Sequence, residues 1–323
     1  MICCKKIVVG FLVFLLAAFT LFPRADEPVI KGKYLGQQRP GTEPKRFAEG
    51  IISSLFEVHS PAVFSPDGKE VCWSLLFKKE TQGVILFMKV EGEKWTNPDS
   101  FPFSTEEYRD VNPAYSPDGK KLYFTSRRPL EKEGKPGASN IWAAEKGETG
   151  WSEPGPLDAV VNEGGVGDQV SVSSDGTLYF SSMRPEGKGG LDIYRSKWEK
   201  DNNRYGKPEN LGEPINTEHS EFGAYIAPDQ GYVIFTSHRP GGLGAADLYI
   251  SFRKTDGSWT TPKNMGDTIN SKDTEAFPTV SPDSKYLFFV RADEESSHVY
   301  WVSAGIIGTL KHEEPRKDEK KGE

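Results

Sequence analysis

Three arginines stand at matching places along this chain, Arg128, Arg184 and Arg239, 56 and 55 residues apart. A second series, Asp110, Glu221 and Glu275, lies eight residues before the aspartate of a repeated turn. His59 takes the same place in an earlier copy, and Asp168 takes it with a one-residue shift. Guanidinium forks and carboxylates in register support two chemistries. They pin loops as structural ion pairs, or they offer a ring of charged hydrogen-bonding groups to a polar partner. Glu221 and Glu275 also have the composition of a glycosidase pair. Other catalytic signatures are absent: the chain has no Gly-x-Ser-x-Gly elbow and no His-Glu-x-x-His. The five histidines, 59, 219, 238, 298 and 312, follow no metal-ligand spacing. The oxygen-rich stretches 218–221 and 267–275 follow no calcium-loop spacing. No catalytic residue, metal or cofactor is therefore expected.

What positions these charges is a repeat. The chain reads Ser65-Pro66-Asp67-Gly68, Ser116-Pro117-Asp118-Gly119, Ser173-Ser174-Asp175-Gly176, Ala227-Pro228-Asp229-Gln230 and Ser281-Pro282-Asp283-Ser284. The turn aspartates are 51, 57, 54 and 54 residues apart. A period near fifty marks a repeat architecture. Proline presets φ, aspartate bonds its own backbone and glycine accepts φ > 0, so Asp67, Asp118, Asp175, Asp229 and Asp283 are expected to be turn-formers.

Each repeat reads as four strands, A to D. Strand A precedes the turn and strand B follows it, as in Leu122-Tyr-Phe-Thr125 and Leu178-Tyr-Phe-Ser181. Strand C is Asn140-Ile-Trp142, Asp192-Ile-Tyr194 or His298-Val-Tyr300. Strand D opens at Trp95, Trp151, Tyr205 and Trp259, each followed three residues later by a proline. That proline cannot donate to a ladder, so D is the outer edge and A the innermost strand. The fifth repeat lacks strand D. Residues 47–53 are expected to supply it, because a bare sheet edge invites mispairing. The expected fold is an all-β propeller of five four-stranded blades closed by an N-terminal strand. Six blades is the alternative, with residues 26–46 hiding an extra one.

The run from Ser-x-Arg-Pro through a Gly-rich loop to Asp-Ile/Leu-Tyr, at 182–194 and 237–249, resembles the WD-like repeats of TolB-like β-propellers. The likeness covers roughly residues 47–305. Blade 2 departs from it with Asn140 in place of the aspartate, and repeats one and five lack Arg-Pro. TolB itself adds an N-terminal α/β domain, for which residues 26–56 leave no room, so a relative is expected. The resemblance implies an exported envelope protein that binds partners with a propeller face.

Residues 1–25 look different. Lys5 and Lys6 precede an apolar run, 7–22, and Ala25 precedes Asp26-Glu27, which reads as a secretory signal. Sixteen apolar residues are short for a membrane span. An uncleaved anchor is the other reading, and would be the chain's one link to a membrane. Residues 26–323 hold 37 basic and 47 acidic side chains, net −10, the wrong sign for a nucleic-acid binder. Only Cys72 remains there, so no intramolecular disulfide is available. The expected domains are a signal (1–25), an irregular segment (26–46), the propeller (47–310) and a charged, disordered tail (311–323).

The one-sided loops, the repeated charges, the absent catalytic motifs and what the resemblance implies together set the functional expectation. The chain is expected to be an exported, periplasmic or extracellular, non-enzymatic binding module. Its loop-rich face would recognise an envelope protein or a polar small ligand or glycan through Arg128, Arg184, Arg239, Asp110, Asp168, Glu221 and Glu275. The alternative is a carbohydrate-active hydrolase or lyase using acids at the channel mouth.

Overall fold

Strands form where aromatic and β-branched residues run between Pro-Asp turns. The computed structural model describes residues 29–53, 57–77, 81–130, 137–167 and 169–312. The expected signal at 1–25, the site residue Asp168 and the tail beyond His312 lie outside these residues.

Five antiparallel blades close into a ring. Blade 2 shows the pattern: strand A is Asp110–Tyr115, B is Lys121–Ser126 and C is Asn140–Gly147. Strand D is split into Gly150–Trp151 and Gly155–Pro156. Pro154 sits in the split, and Pro98 and Pro208 do the same in blades 1 and 3. A residue without an N–H breaks the edge strand where the sheet can best spare the bond.

Four of the five A–B turns share one bonding pattern. Ser65, Ser116, Ser173 and Ser281 each donate Oγ–H to the turn aspartate two residues on, at 2.6–2.8 Å. The same Oδ1 accepts a backbone N–H two residues further along. Gly68, Gly119 and Gly176 follow with φ of +69°, +70° and +85°. Gln230 and Ser284 hold φ +57° in blades 4 and 5, a conformation that costs a side chain energy.

Ring closure corrects the sequence reading by two residues. The fourth strand of blade 5 is Lys45–Arg46, paired with Trp301 and Tyr300. Phe47 adds one bond, its N–H to the Val299 carbonyl at 2.8 Å. The apolar segment 47–53 suits an inner position, whereas the outer edge strand faces water and is polar. Phe47 turns inward, against Phe288 and Trp301, with ring centroids 5.0 Å away in both cases. Residues 29–53 form no sixth sheet. They cover the seam instead: Tyr34 packs on Phe64 of blade 1 and Tyr286 of blade 5, and its hydroxyl donates to Asp283 at 2.5 Å. On the far side of blade 5, the helix Gly305–His312 buries Leu310 against the core between blades 4 and 5. It carries two residues into the stretch read as tail. Cys72 is buried in strand B of blade 1, and burial raises its thiol pKa.

Strand A of blades 2, 4 and 5 carries a bulge, with Asn112, Gly223 and Phe277 at φ +54° to +57°. The Gln169 side chain of blade 3 donates to the Pro278 backbone carbonyl of blade 5, so non-neighbouring blades are joined across the ring.

Replacing Gly176 by Val forces a β-branched residue to φ +85°, with the Trp198 Cβ 3.7 Å from the new carbon. A loss of about 1 kcal/mol or more is expected, and an unchanged melting temperature would show that this turn tolerates side chains. Acid should act through the same turns. Burial raises the pKa of Asp67, Asp175 and Asp283, but their serine and backbone hydrogen bonds, preceded at Asp283 by the stronger bond from the Tyr34 hydroxyl, outweigh it and hold them low. For Asp118 the Ser116 hydroxyl is the largest influence, and it lowers. Carboxylates depressed by folding stabilise above the unfolded value of about 3.9, and the contribution is lost as pH falls through the folded values. Melting temperature should therefore drop from pH 6 to pH 3, and drop less in Ser65→Ala/Ser116→Ala/Ser281→Ala. Equal slopes would remove the turns from the account.

Candidate functional site: the loop-rich face

The B–C loops and the D–A connections emerge on one side of the ring, opposite the tight turns. Strand A starts there and strand B ends there, so the arginine and acid series meet on that side. Arg128 forks onto Asp110, Nη2 to Oδ2 at 2.6 Å and Nε to Oδ1 at 3.1 Å. Arg239 reaches Glu221 at 3.3 Å. Arg291, which lies outside the Ser-x-Arg-Pro pattern, reaches Glu275 at 2.6 Å. The three carboxylate side chains are fully buried. Their remaining lone pairs are used. Glu221 also accepts from Ser237 Oγ and from Thr217 N and Oγ1; Glu275 accepts from Ser271 N and Oγ. Burial lowers the Arg239 pKa, against the raising influence of Glu221.

Each arginine has a further task. Its Nη2 donates to a backbone carbonyl in the incoming D–A connection: Phe103 for Arg128, Val160 and Val161 for Arg184, Ile215 for Arg239 and Ile269 for Arg291. The guanidinium lies over an aromatic ring. Arg184, Arg239 and Arg291 lie 5.6, 4.9 and 4.7 Å from Tyr194, Tyr249 and Tyr300 of strand C, and Arg128 lies 5.0 Å from Tyr108. Among the described residues Arg184 meets no carboxylate, and its Nε is buried without a hydrogen-bond partner.

Asp192 and Asp247 stand eight residues after Arg184 and Arg239, a spacing open to an ion pair, but among the described residues they do not pair with them. Asp192 accepts from Lys188 N, Gly189 N and Asn210; Asp247 accepts from Leu243 N, Gly244 N and Asn264. They close the Gly-rich loops on themselves. Glycine is required there by close approach. A Cβ at Gly189 would lie 1.7 Å from the His219 carbonyl oxygen, and one at Gly244 1.9 Å from that of Asp273.

A third element was missed in the sequence. Asn162, Asn216 and Asn270 each bind both the N–H and the C=O of one strand C residue, Ile141, Ile193 and Leu248. Ser104 and Ser53 accept from Ile85 N and Val299 N in the same way. The signal was present: a buried apolar residue followed by Asn or Ser, five or six residues before the acid position.

In blade 1, His59 holds the acid's place. Its Nε2 lies 3.0 Å from Arg109 Nη2 and its ring 4.9 Å from Phe277. His219 lies 3.7 Å from Glu218, and the His238 ring packs on Phe222. No group of three or more His, Cys, Asp or Glu gathers among the described residues. No helix among them is long and apolar enough to cross a membrane. An open depression of about 560 Å³ lies on the other face, between Arg39, Lys285 and Gly305, away from the charged series.

No known family profile matches the chain, and no curated protein matches its sequence. Solved structures do match in fold. A putative TolB from Agrobacterium tumefaciens aligns at 18% identity and TM-score 0.51, over 83% of this chain and 86% of that one. The fold is a TolB-like five-bladed β-propeller. TolB from Acinetobacter baumannii aligns at 15% identity and TM-score 0.49, over 84% of this chain and 64% of that one. An α-L-arabinofuranosidase from Lactobacillus brevis aligns at 14% identity and TM-score 0.50, over 79% and 93%. At such identities the likeness concerns fold alone, and a propeller hosts both binding proteins and hydrolases.

Removing one partner of a buried pair leaves the other charged and unpaired. Glu221→Ala should cost about 3–5 kcal/mol in urea unfolding. Lys188→Ala, which breaks the exposed contact to Glu213, should leave stability unchanged. Similar effects from both would mean the Arg239–Glu221 pair is not structural.

Proposed function

We propose that this chain is an exported, non-enzymatic binding module of the cell envelope that recognises a protein partner with its loop-rich face. One observation carries the reading. In the repeated Ser-x-Arg-Pro, both anchors turn inward: Ser126 and Ser237 bond Asp110 and Glu221, Ser182 bonds the Gly165 carbonyl, and each arginine bonds the D–A connection. The residue between them is thrust outward. Arg127, Met183 and His238 are all exposed, and all differ. A fixed frame that displays variable side chains is the arrangement of a recognition surface, because ordering costs were met at folding.

In this reading Arg128, Arg184 and Arg239, with Asp110, Glu221 and Glu275, serve recognition from behind by holding the display in place. Export rests on the basic and apolar pattern of residues 1–25. A periplasmic or extracellular site follows from it and from the TolB-like resemblance. The carbohydrate-active alternative would need Glu221 or Glu275 to reach a sugar. Both are fully buried and bonded, which favours binding over catalysis.

The test is partner capture. The immobilised chain is passed over a crosslinked envelope extract beside a folded Met183→Glu/His238→Glu variant, and retained proteins are identified by mass spectrometry. A protein held by the parent and lost by the variant is expected. A retained set indifferent to these substitutions would overturn the reading.

A further inference from the structure

Four large apolar side chains are exposed among the described residues: Leu130 at 57%, Met183 at 67%, Leu243 at 51% and Val29 at 54%. The first three stand on the B–C loops of blades 2, 3 and 4, which are successive blades, on the same face. Single exposed apolar residues are ordinary on any surface. Three in an arc, each on or beside a pinned loop, are a different matter. Leu243 sits in the loop that Asp247 closes through the Leu243 N–H itself. Met183 is held out between Ser182 and Arg184, and Leu130 follows Arg128-Pro129. None of these positions gains from folding by being apolar, since each faces water.

Among the described residues the exposed charge around the arc is mostly acidic. Glu107, Glu186, Glu218, Asp267, Glu294 and Glu295 are exposed on the same loops and connections. The exposed bases there are fewer, Arg127, Lys188 and Lys272, and two of them already contact acids, Glu213 and Asp273.

We infer that the loop-rich face docks a protein segment rich in lysine or arginine that carries apolar side chains between its charges. The apolar arc would take the apolar side chains, and the acidic rim would steer and orient the bases. An acidic segment would meet like charge on every side. This deepens the binding reading above and rests on it.

The test uses the full chain and three labelled synthetic peptides of equal length, alternating Lys-Leu, Glu-Leu and Lys-Ser, followed by fluorescence anisotropy at low and physiological salt. The Lys-Leu peptide should bind tightest. Its affinity should fall about tenfold or more in Leu130→Ser/Met183→Ser/Leu243→Ser, and about as much in Glu186→Gln/Glu218→Gln/Glu294→Gln/Glu295→Gln. Salt should weaken binding to the parent more than to the charge variant. All these substitutions are at exposed positions, and parental melting temperatures would show that the variants fold. Equal affinity for the Glu-Leu peptide, no binding of Lys-Leu, or indifference to both variants overturns the inference. If the capture experiment still yields a partner lost with Met183→Glu/His238→Glu, only the partner's chemistry is wrong; if both fail, the binding reading falls too.

Discussion

Every blade of this ring ends in a strand C whose backbone groups need a partner where the short, proline-broken strand D runs out. Buried N–H and C=O groups left bare cost more than most single interactions return. The chain solves this five times with the connection that leads to the next blade. One backbone N–H of that connection bonds strand C, from Phe47, Phe101, Leu157, Leu211 or Met265. A side chain then finishes the job, Ser53, Ser104, Asn162, Asn216 or Asn270. The connection is thereby tied to the blade it leaves. The arginine ties the same connection to the blade it enters. Direct backbone bonds between blades add to these two ties, among them Glu221 N–H to the Leu191 carbonyl and Glu275 N–H to the Ala246 carbonyl.

The buried arginine–carboxylate pairs belong to this joint. Desolvating two charges is expensive, and such pairs contribute specificity more dependably than net stability. Here each guanidinium is matched by a carboxylate, a carbonyl and an aromatic face at once. In blade 5 the joint survives a change of position: Arg291 lies opposite Glu275 in the ladder and yet reaches the Ile269 carbonyl and the Tyr300 ring. The geometry that must be kept is the joint, and the position of the arginine in sequence follows from it.

One consequence is the unequal character of the two faces. The tight-turn face spends its aspartates on its own backbone. The loop-rich face uses its buried charges as anchors and leaves the residues between them free to vary. Because Arg127, Met183 and His238 are exposed and lie outside the bonded anchors, changes there need not disturb the joint.

Much of this was legible in the residues. The Pro-Asp turns gave the period, because proline, aspartate and glycine each fix backbone geometry locally. Alternating aromatic and β-branched runs gave strands A to C, and the prolines gave the broken outer strand. The charged series was visible too, because repetition put Asp110, Glu221 and Glu275 in register. Tertiary structure decided the rest. Lys45 and Arg46 carry no strand signal, since an outer edge strand is polar and its partner lies more than 250 residues away. Whether Arg239 meets Glu221 or Asp247 depends on which carboxylate is buried beside its guanidinium, and both lie within reach along the chain. The asparagines recur at one place in the repeat, but their task is not legible from that recurrence. A side chain that replaces a missing strand can be recognised only once the strand is known to be missing.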